Sequence, residues 1–432
     1  MLKKIKKIIS KTDHLLFKKF GTDKSLKFLQ NIKEAKVIFE NLNEVGEETK
    51  VRFVGGCVRK ALCGEIIDDI DLATSLEPVE VKKRLSSAYI RVIDTGISHG
   101  TVTAIINKKK FEITTLRQDV STDGRHATVQ YTPSWQEDAF RRDFTINAIY
   151  ADIEGRIFDP LNGISDLNNR KIKFIGSPKE RIQEDFLRIL RYLRFFTQYS
   201  TSKHESEIIQ SLKQHINGLN KISNERIFDE LKKILSLSNV NDLFLNEQSK
   251  EIIVNVFPQF KYFPRLENFN NLDQKLKVKY DYQSLLCLLI LDNTDNWEFF
   301  CYKYKVSNKI KDKFKYISKN LEAIKSKKFY LEDNLKKIIY LTNKEMAKNI
   351  LLFGKCENNK TKHINLEKLL DYINSCKIPK LPISGDDLKK HGYASGRELG
   401  KKLKFLEEKW IENNFTLKQE YIEKYLNKNK RN

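Results

Sequence analysis

The sequence predicts an α+β chain, with a mixed α/β segment on the N-terminal side and an all-helical remainder. Two patterns lead there. Between Val51 and Ile175, short β-prone runs alternate with turn residues and brief helical stretches. From Pro178 onwards, apolar residues recur at three- and four-residue spacing. The third observation is size and content: 432 residues, 40% hydrophobic and 11% aromatic, sufficient for two to four domains with real cores and unlike a disordered chain.

The opening twenty residues, MLKKIKKIISKTDHLLFKKF, are basic and weakly amphipathic. Lysines interrupt them too often for a signal-peptide core, and no stretch approaches a membrane span, so no membrane partner is expected. A surface helix and an RNA-facing arm both fit. Residues 25–42 place Leu26, Leu29, Ile32, Ala35 and Ile38 on one stripe, which predicts an amphipathic helix ahead of the first strand.

The stretch Val51 to Pro78, VRFVGGCVRKALCGEIIDDIDLATSLEP, carries the densest signal. Val51, Phe53 and Val54 predict a strand that ends at Gly55 and Gly56. Val58, Ala61 and Leu62 predict a short helix stopped by Gly64. A second strand is expected over Ile66 to Leu72, interrupted by Asp68, Asp69 and Asp71. Alternation puts Asp69 and Asp71 on one face, about 7 Å apart by strand rise, with Ile70 turned inward and Asp68 pointing away. Two carboxylates that close repel unless a cation sits between them, and oxygen-only donors suit Mg²⁺. Gly55 and Gly56 let backbone N–H groups approach phosphate oxygens, while the helix N-terminus and Arg59 add positive charge. Singly, a Gly-Gly is a turn and an Asp-x-Asp a solvated strand end. Together, in this order, they form the layout of a site for a nucleoside triphosphate and its metals.

A helix is expected over Val79 to Leu85, then strands over Tyr89 to Ile93, Thr101 to Ile106 and Phe111 to Leu116. Glu112 in the last of these becomes a third acid beside Asp69 and Asp71 if its strand neighbours theirs; an edge glutamate facing water accounts for the same pattern. Arg117 to Val129 shows no periodicity and reads as a basic loop. Glu137 to Tyr150, EDAFRRDFTINAIY, sets Phe140, Phe144 and Ala148 at helical spacing, with Arg141, Arg142, Asp143 and Asn147 on the remainder. Those charges suit phosphate and ribose, or form a surface cluster. Residues 156–176 read as strand, turn, strand. In Glu184 to Phe196, Asp185, Arg188, Arg191 and Arg194 recur every three residues opposite Leu187, Leu190, Leu193 and Phe196. One helix face would then offer an acceptor and fixed donors to a base edge, or carry an i,i+3 ion pair.

Further on, Ile227, Leu231, Ile234 and Leu235 mark a helix that Ser223 is placed to cap. Tyr282 to Leu291 and Asn334 to Leu352 read as helices, Phe299 to Tyr316 mixes aromatics with lysines, and Pro379, Pro382 and Gly385 break the chain before a final helical unit. The net charge of +22, from 79 Lys and Arg against 57 Asp and Glu, fits a polyanionic partner. Six cysteines (57, 63, 287, 301, 356, 376) lack C-x-x-C spacing and companion histidines, which argues against zinc and for a reducing cytoplasm.

VGGCVR…DID, RRDFTINA, DPLNGISDL and EDFLRILRYLRF, in that order, resemble the class II polymerase-beta-type nucleotidyltransferases: CCA-adding tRNA nucleotidyltransferases and bacterial poly(A) polymerases. The likeness covers roughly residues 50 to 235, including SNERIFDEL, and Pro382 to Leu403 looks like the family's C-terminal region. It implies a polymerase-beta-like head over 25–165, a helical neck with a nucleotide-selecting helix over 166–255, a body over 256–355 and a tRNA-binding tail over 356–432. By the same likeness Gly55, Gly56 and Arg59 cradle the triphosphate, Asp69 and Asp71 hold Mg²⁺, and Glu112 is the third carboxylate. Arg141, Arg142 and Asp143 engage ribose and phosphates, and Asp159 to Leu167 hinge head to neck. Asp185 and Arg188 select CTP or ATP, supported by Arg191 and Arg194, and the basic loop 117–129 aids the switch between the two nucleotides. Lys60 departs from the pattern, standing where the family has Asp. The partners implied are tRNA, CTP and ATP. Poly(A) polymerases share the catalytic motifs, and an A-only or CC-only enzyme would too; Phe186, Tyr192 to Phe196 and the tail motif look more like the CCA-adding branch. A non-catalytic RNA-binding protein with a degenerate head would lack an acid, and all three are present.

Overall fold

The computed structural model describes residues 26–44, 48–96, 100–122, 127–357, 365–418 and 420–423. The basic opening segment and the tip of the 117–129 loop lie outside them. The chain divides into two compact units, 1–256 and 257–432.

In the first unit, α1 (Lys27–Gln30) and α2 (Lys33–Leu42) replace the single helix expected over 25–42, with a break at Asn31 and Ile32. The expected stripe is buried all the same, with Ala35, Ile38, Phe39 and Leu42 inward. Its Phe39 ring meets Phe53 of β1 (Val51–Val54) at 4.9 Å between centroids, which places α2 against one face of the sheet. Gly55, at φ +68°, turns the chain directly into α3 (Gly56–Cys63), and Gly64 closes that helix in the left-handed conformation. β2 (Ile70–Thr74) begins later than expected, because residues 65–69 leave the ladder and Ile66 is 90% exposed. Paired acids at 68 and 69 gain more from water and from Lys60 than from a strand.

After α4 (Pro78–Ser87), strands β3 (Arg91–Gly96), β4 (Thr101–Ile106) and β5 (Lys109–Thr115) join a seven-stranded sheet with β8 (Tyr150–Ala151) and β9 (Ile157–Phe158). Its order is β3-β4-β5-β2-β1-β8-β9. Only β2 and β5 run parallel, with Asp71 opposite Glu112. The other recorded pairings in that sheet are antiparallel. β6 (Arg117–Thr122) and β7 (Ala127–Tyr131) pair antiparallel as a separate two-stranded sheet, where an aperiodic loop was expected over 117–129. Cross-strand pairing in a two-stranded ribbon does not need a buried face, so alternation was a poor guide.

Residues 137–150 do not form one helix. α5 (Trp135–Phe140) stops, and a 3₁₀ turn at Thr145–Asn147 follows. Asp143 accepts the Phe144 N–H and the Asn147 side-chain amide, a local alternative to the helical ladder. Of residues 172–175 only Phe174 pairs, in an isolated bridge to Phe144. The 159–167 segment contains α6 (Gly163–Asn168), whose first N–H groups are held by both oxygens of Asp159. α7 (Pro178–Glu184) and α8 (Arg188–Tyr199) are separated by Asp185 in extended conformation. α8 buries Leu190, Tyr192, Leu193, Phe195 and Phe196; Phe195 meets Phe144 edge-on and Tyr192 stacks on Phe174, tying the helix to the Phe144–Phe174 bridge. α9 (Ser206–His215), α10 (Asn224–Leu235), α11 (Val240–Leu245) and α12 (Glu247–Val256) complete the unit. Ser223 caps α10 as expected by accepting the Arg226 N–H.

The second unit is helical among its described residues. Its centre is the helix Tyr282–Ile290, buried from Ser284 to Ile290. Buried Arg265 donates to the Leu288 and Leu291 carbonyls at that helix's C-terminal end and pairs with Glu357. The 334–352 stretch is two helices, Glu332–Leu341 and Lys344–Glu357. The break at 379–385 holds: Ser384 and Asp387 form a capping box at Gly385–Lys390. A small core of Ile383, Leu388, Leu406 and Ile422 follows.

Candidate active site

The site grows from one row across the sheet. Tyr150 pairs with Val54 between β8 and β1, and Asp71 pairs with Glu112 between β2 and β5. Laterally paired residues project from the same face, so Asp71 and Glu112 share one. Burial pushes the Asp71 carboxyl up to about 6, helped by the charges of Glu112 and Asp69 and opposed by Arg142 and Lys60. Asp69 is exposed, just ahead of the strand. This crowding of carboxylates is what a cation relieves. Among the described residues no group of three or more His, Cys, Asp or Glu is drawn together as a metal cage. The donors that remain, the carboxylates of Asp69 and Asp71, are oxygen ligands of the kind that could hold a hard divalent cation.

Asp69 and Asp71 open onto a cavity of about 800 Å³ in the first unit. Its wall includes Gly55, Gly56, Arg59, Lys60, Arg141, Arg142, Asp143, Asp185, Arg188, Arg191 and Arg194. Every expected site residue is there except Glu112, which stands beside Asp71 in the sheet without lining the cavity. A Cβ on Gly56 would meet nothing within 4 Å, so that position faces open space.

The arginines are held by acidic partners. Buried Asp138 bonds Arg141 at 2.6 Å and Arg142 at 2.9 Å and accepts the Tyr150 hydroxyl at 2.7 Å. Burial alone would raise the Asp138 carboxyl, but Arg142 and Arg141 hold it far below the usual carboxylate range. Asp143 receives both Arg191 and Asn147, and so stays ionised despite its burial. With those acceptors filled, it orients Arg191 more than it offers itself to a sugar. Arg194 pairs with Glu230 of α10.

Two expectations need correction. Asp185 and Arg188 do not sit on one helix: Asp185 ends the preceding element, accepting the Leu187 N–H at 3.1 Å and Arg226 at 2.7 Å. Arg188 opens α8 bonded to Glu184 and to the Arg181 carbonyl. The three-residue period was right for the arginines and wrong for the acid, because the chain turns at 185–187. Arg59 is buried rather than offered freely. It donates to the Asn147 side-chain oxygen Oδ1 and lies over the Phe195 and Tyr199 rings at 4.6 and 5.3 Å, with its Nε unbonded. Lys60, the departure from the family pattern, pairs with Asp68.

Sequence reasoning missed Asp138, Glu184, Arg226 and Glu230. Asp138 and Glu184 stand three or four residues from their arginines, a spacing that could have found them. Glu230 and Arg226 act across elements and left no local signal.

The poly A polymerase head domain model matches residues 51–173, the probable RNA and SrmB-binding site of polymerase A matches 204–263, and a putative tRNA nucleotidyltransferase domain 2 matches 276–426. The human mitochondrial CCA tRNA nucleotidyltransferase 1 is 34% identical over 89% of this chain and 88% of its own. The CCA-adding enzyme of Lactococcus lactis subsp. cremoris is 33% identical over 90% and 94%. Among solved structures, the Bacillus stearothermophilus CCA-adding enzyme in complex with CTP superposes with TM-score 0.68 at 25% identity, covering 92% of this chain and 97% of that one. The Thermotoga maritima CCA-adding enzyme complexed with tRNA shares the fold at TM-score 0.64 and 21% identity.

Proposed function

The chain belongs to the CCA-adding tRNA nucleotidyltransferase family, and from that premise we propose that it adds CMP and AMP from CTP and ATP to the 3′ end of tRNA. The enzyme is a nucleotidyltransferase that works without a nucleic-acid template. The observation that carries the reading is that Asp69 and Asp71 share one arginine-lined cavity with Gly55 and Gly56, with Glu112 paired to Asp71 in the sheet behind it.

Each residue's task follows from its setting. Gly55, whose N–H is held by the Ile149 carbonyl, makes the turn that lets Gly56 present its backbone N–H and the start of α3 to the triphosphate. Arg141 and Arg142, locked by Asp138, meet phosphate and ribose oxygens without first losing rotamer freedom. Arg188, fixed by Glu184, and Asp185, fixed by Arg226, face the base with donors and an acceptor, standing in for a template strand. Arg191 and Arg194 hold that edge of the cavity in place through Asp143 and Glu230. Asp69 and Asp71 would hold Mg²⁺, with Glu112 as the third carboxylate; when bound, the ion supplies charge stabilisation at the phosphates and acidifies the attacking hydroxyl.

We assign 25–165 to the catalytic head, 166–255 to a neck, 256–355 to a body and 356–432 to a tRNA-binding tail. No described helix is long and apolar enough to cross a membrane. All six cysteines are free, which suits the cytoplasm.

The test is product length. A tRNA ending at its discriminator base, given labelled CTP and ATP, should gain two C and one A and then stop. A long A tract would instead mean poly(A) synthesis, and a single A or CC alone a partial enzyme.

A further inference from the structure

Two helices supply the cavity's two kinds of contact. Gly56 and Lys60 line it from α3, and Arg188, Arg191 and Arg194 line it from α8. α3 starts at the glycine turn, and α8 opens with Arg188, which in the proposed function faces the base. The spacing of these helices therefore sets how far the triphosphate contacts lie from the base contacts.

That spacing is held by side chains at the far end of both helices. Arg59, one turn into α3 and buried, lies over Phe195 at 4.6 Å and Tyr199 at 5.3 Å. Arg194 lies over the same Phe195 ring at 4.1 Å. The second link is Glu65, just past the Gly64 that ends α3. One oxygen of its carboxylate, Oε2, accepts both the Gln198 side-chain amide and the Tyr199 hydroxyl, each at 3.1 Å. Burial pushes the Tyr199 hydroxyl up to about 12, opposed by Arg59 and assisted by Glu65, so it keeps its proton and donates at neutral pH. A carboxylate with two donors makes a stronger link than a neutral pair. Neither Glu65 nor Tyr199 lines the cavity, so neither meets the ligand directly.

We propose that Glu65, through Tyr199 and Gln198, is a positioning residue for nucleotide choice: it clasps α8 to the helix of the glycine turn and so sets the reach from triphosphate to base. The inference rests on the reading that a nucleoside triphosphate spans this cavity with its base towards Arg188. With the clasp open, α8 gains freedom and Arg188 meets the wrong base edge nearly as well as the right one. The glycine turn still holds the triphosphate.

The experiment measures equilibrium binding of CTP, ATP, UTP and GTP to the full chain, with inorganic triphosphate as a probe of the glycine turn alone. In Glu65→Ala the preference for CTP and ATP over UTP and GTP, as a ratio of Kd values, should fall about 3- to 10-fold, the worth of a hydrogen bond. The Kd of inorganic triphosphate should stay within about twofold. Tyr199→Phe should lose a smaller part of the preference, and the double variant no more than Glu65→Ala, because the bond is already gone. Glu65→Gln, whose amide oxygen still accepts, should recover most of it. An unchanged preference in Glu65→Ala, an equal loss for all four nucleotides and inorganic triphosphate, additive losses in the double variant, or no recovery in Glu65→Gln would each overturn the assignment. So would wild-type protein that binds the four nucleotides alike. Extension of tRNA by wild type in the same samples tests the underlying function separately. If it adds neither C nor A, that function fails, and the binding ratios still judge the clasp.

Discussion

At the residue scale the site depends on charges whose partners are as important as the charges themselves. Asp138 is buried and shared by Arg141, Arg142 and Tyr150. Asp138→Ala leaves a buried guanidinium unpaired and should cost roughly 3–5 kcal/mol of stability, measured by urea unfolding, together with most triphosphate affinity. His204 shows the opposite logic. It stacks on Phe196 at 3.6 Å and bonds Tyr192 at 3.0 Å and Ser249 at 2.7 Å. Burial lowers its pKa to about 4, against a weaker opposing hydrogen bond from Asn246. A depressed histidine means the unfolded chain takes up the proton first. Its contribution, on the order of 3 kcal/mol, is present above pH 6.5 and lost as pH falls towards 4. His204→Gln should flatten that acid limb in unfolding free energy between pH 6.5 and 4; an unchanged limb would remove the explanation.

At the element scale the decisive feature is the turn between α7 and α8. It takes Asp185 off the helix and hands it to Arg226, while Arg188 is handed to Glu184. On the proposed reading, base choice becomes a property of two helices and a cap, since Ser223 fixes the start of α10 from which Arg226 reaches across. Arg188→Ala should lower kcat/KM for CTP and ATP about 10- to 100-fold, the worth of a charged hydrogen bond or two, and narrow the discrimination against other nucleotides. Arg226→Ala should widen the choice of nucleotide with a smaller loss of rate. Unaltered discrimination in both variants would show that base choice lies elsewhere. Much of this was legible in the chain: the strand, glycine pair and short helix over 51–64 and the arginine period of α8 follow from alternation and spacing. The break at 185 was not, because the three-residue period of Asp185, Arg188, Arg191 and Arg194 runs across it and masks the change of backbone direction. The end of the helix at Phe140 was hidden for a similar reason. Phe144 and Ala148 keep helical spacing, yet the Asp143 side chain captures the backbone N–H that the helix would have used.

At the scale of the whole molecule, sequence periodicity located the elements but not the cross-element pairs. Arg194 with Glu230 and Asp143 with Arg191 lie far apart in sequence and have no local trace. Composition spoke more plainly, and the +22 charge should give RNA affinity a steep salt dependence. The central claim is that Asp71, set against Glu112 in the sheet and beside the glycine turn, does chemistry rather than binding. Asp71→Asn tests it most directly, with RNA affinity and nucleotide incorporation measured on one preparation. Incorporation of both C and A should fall by on the order of 10³-fold or more while the tRNA Kd stays within about twofold. Near wild-type incorporation, or a loss of rate fully explained by lost RNA binding, would contradict the account.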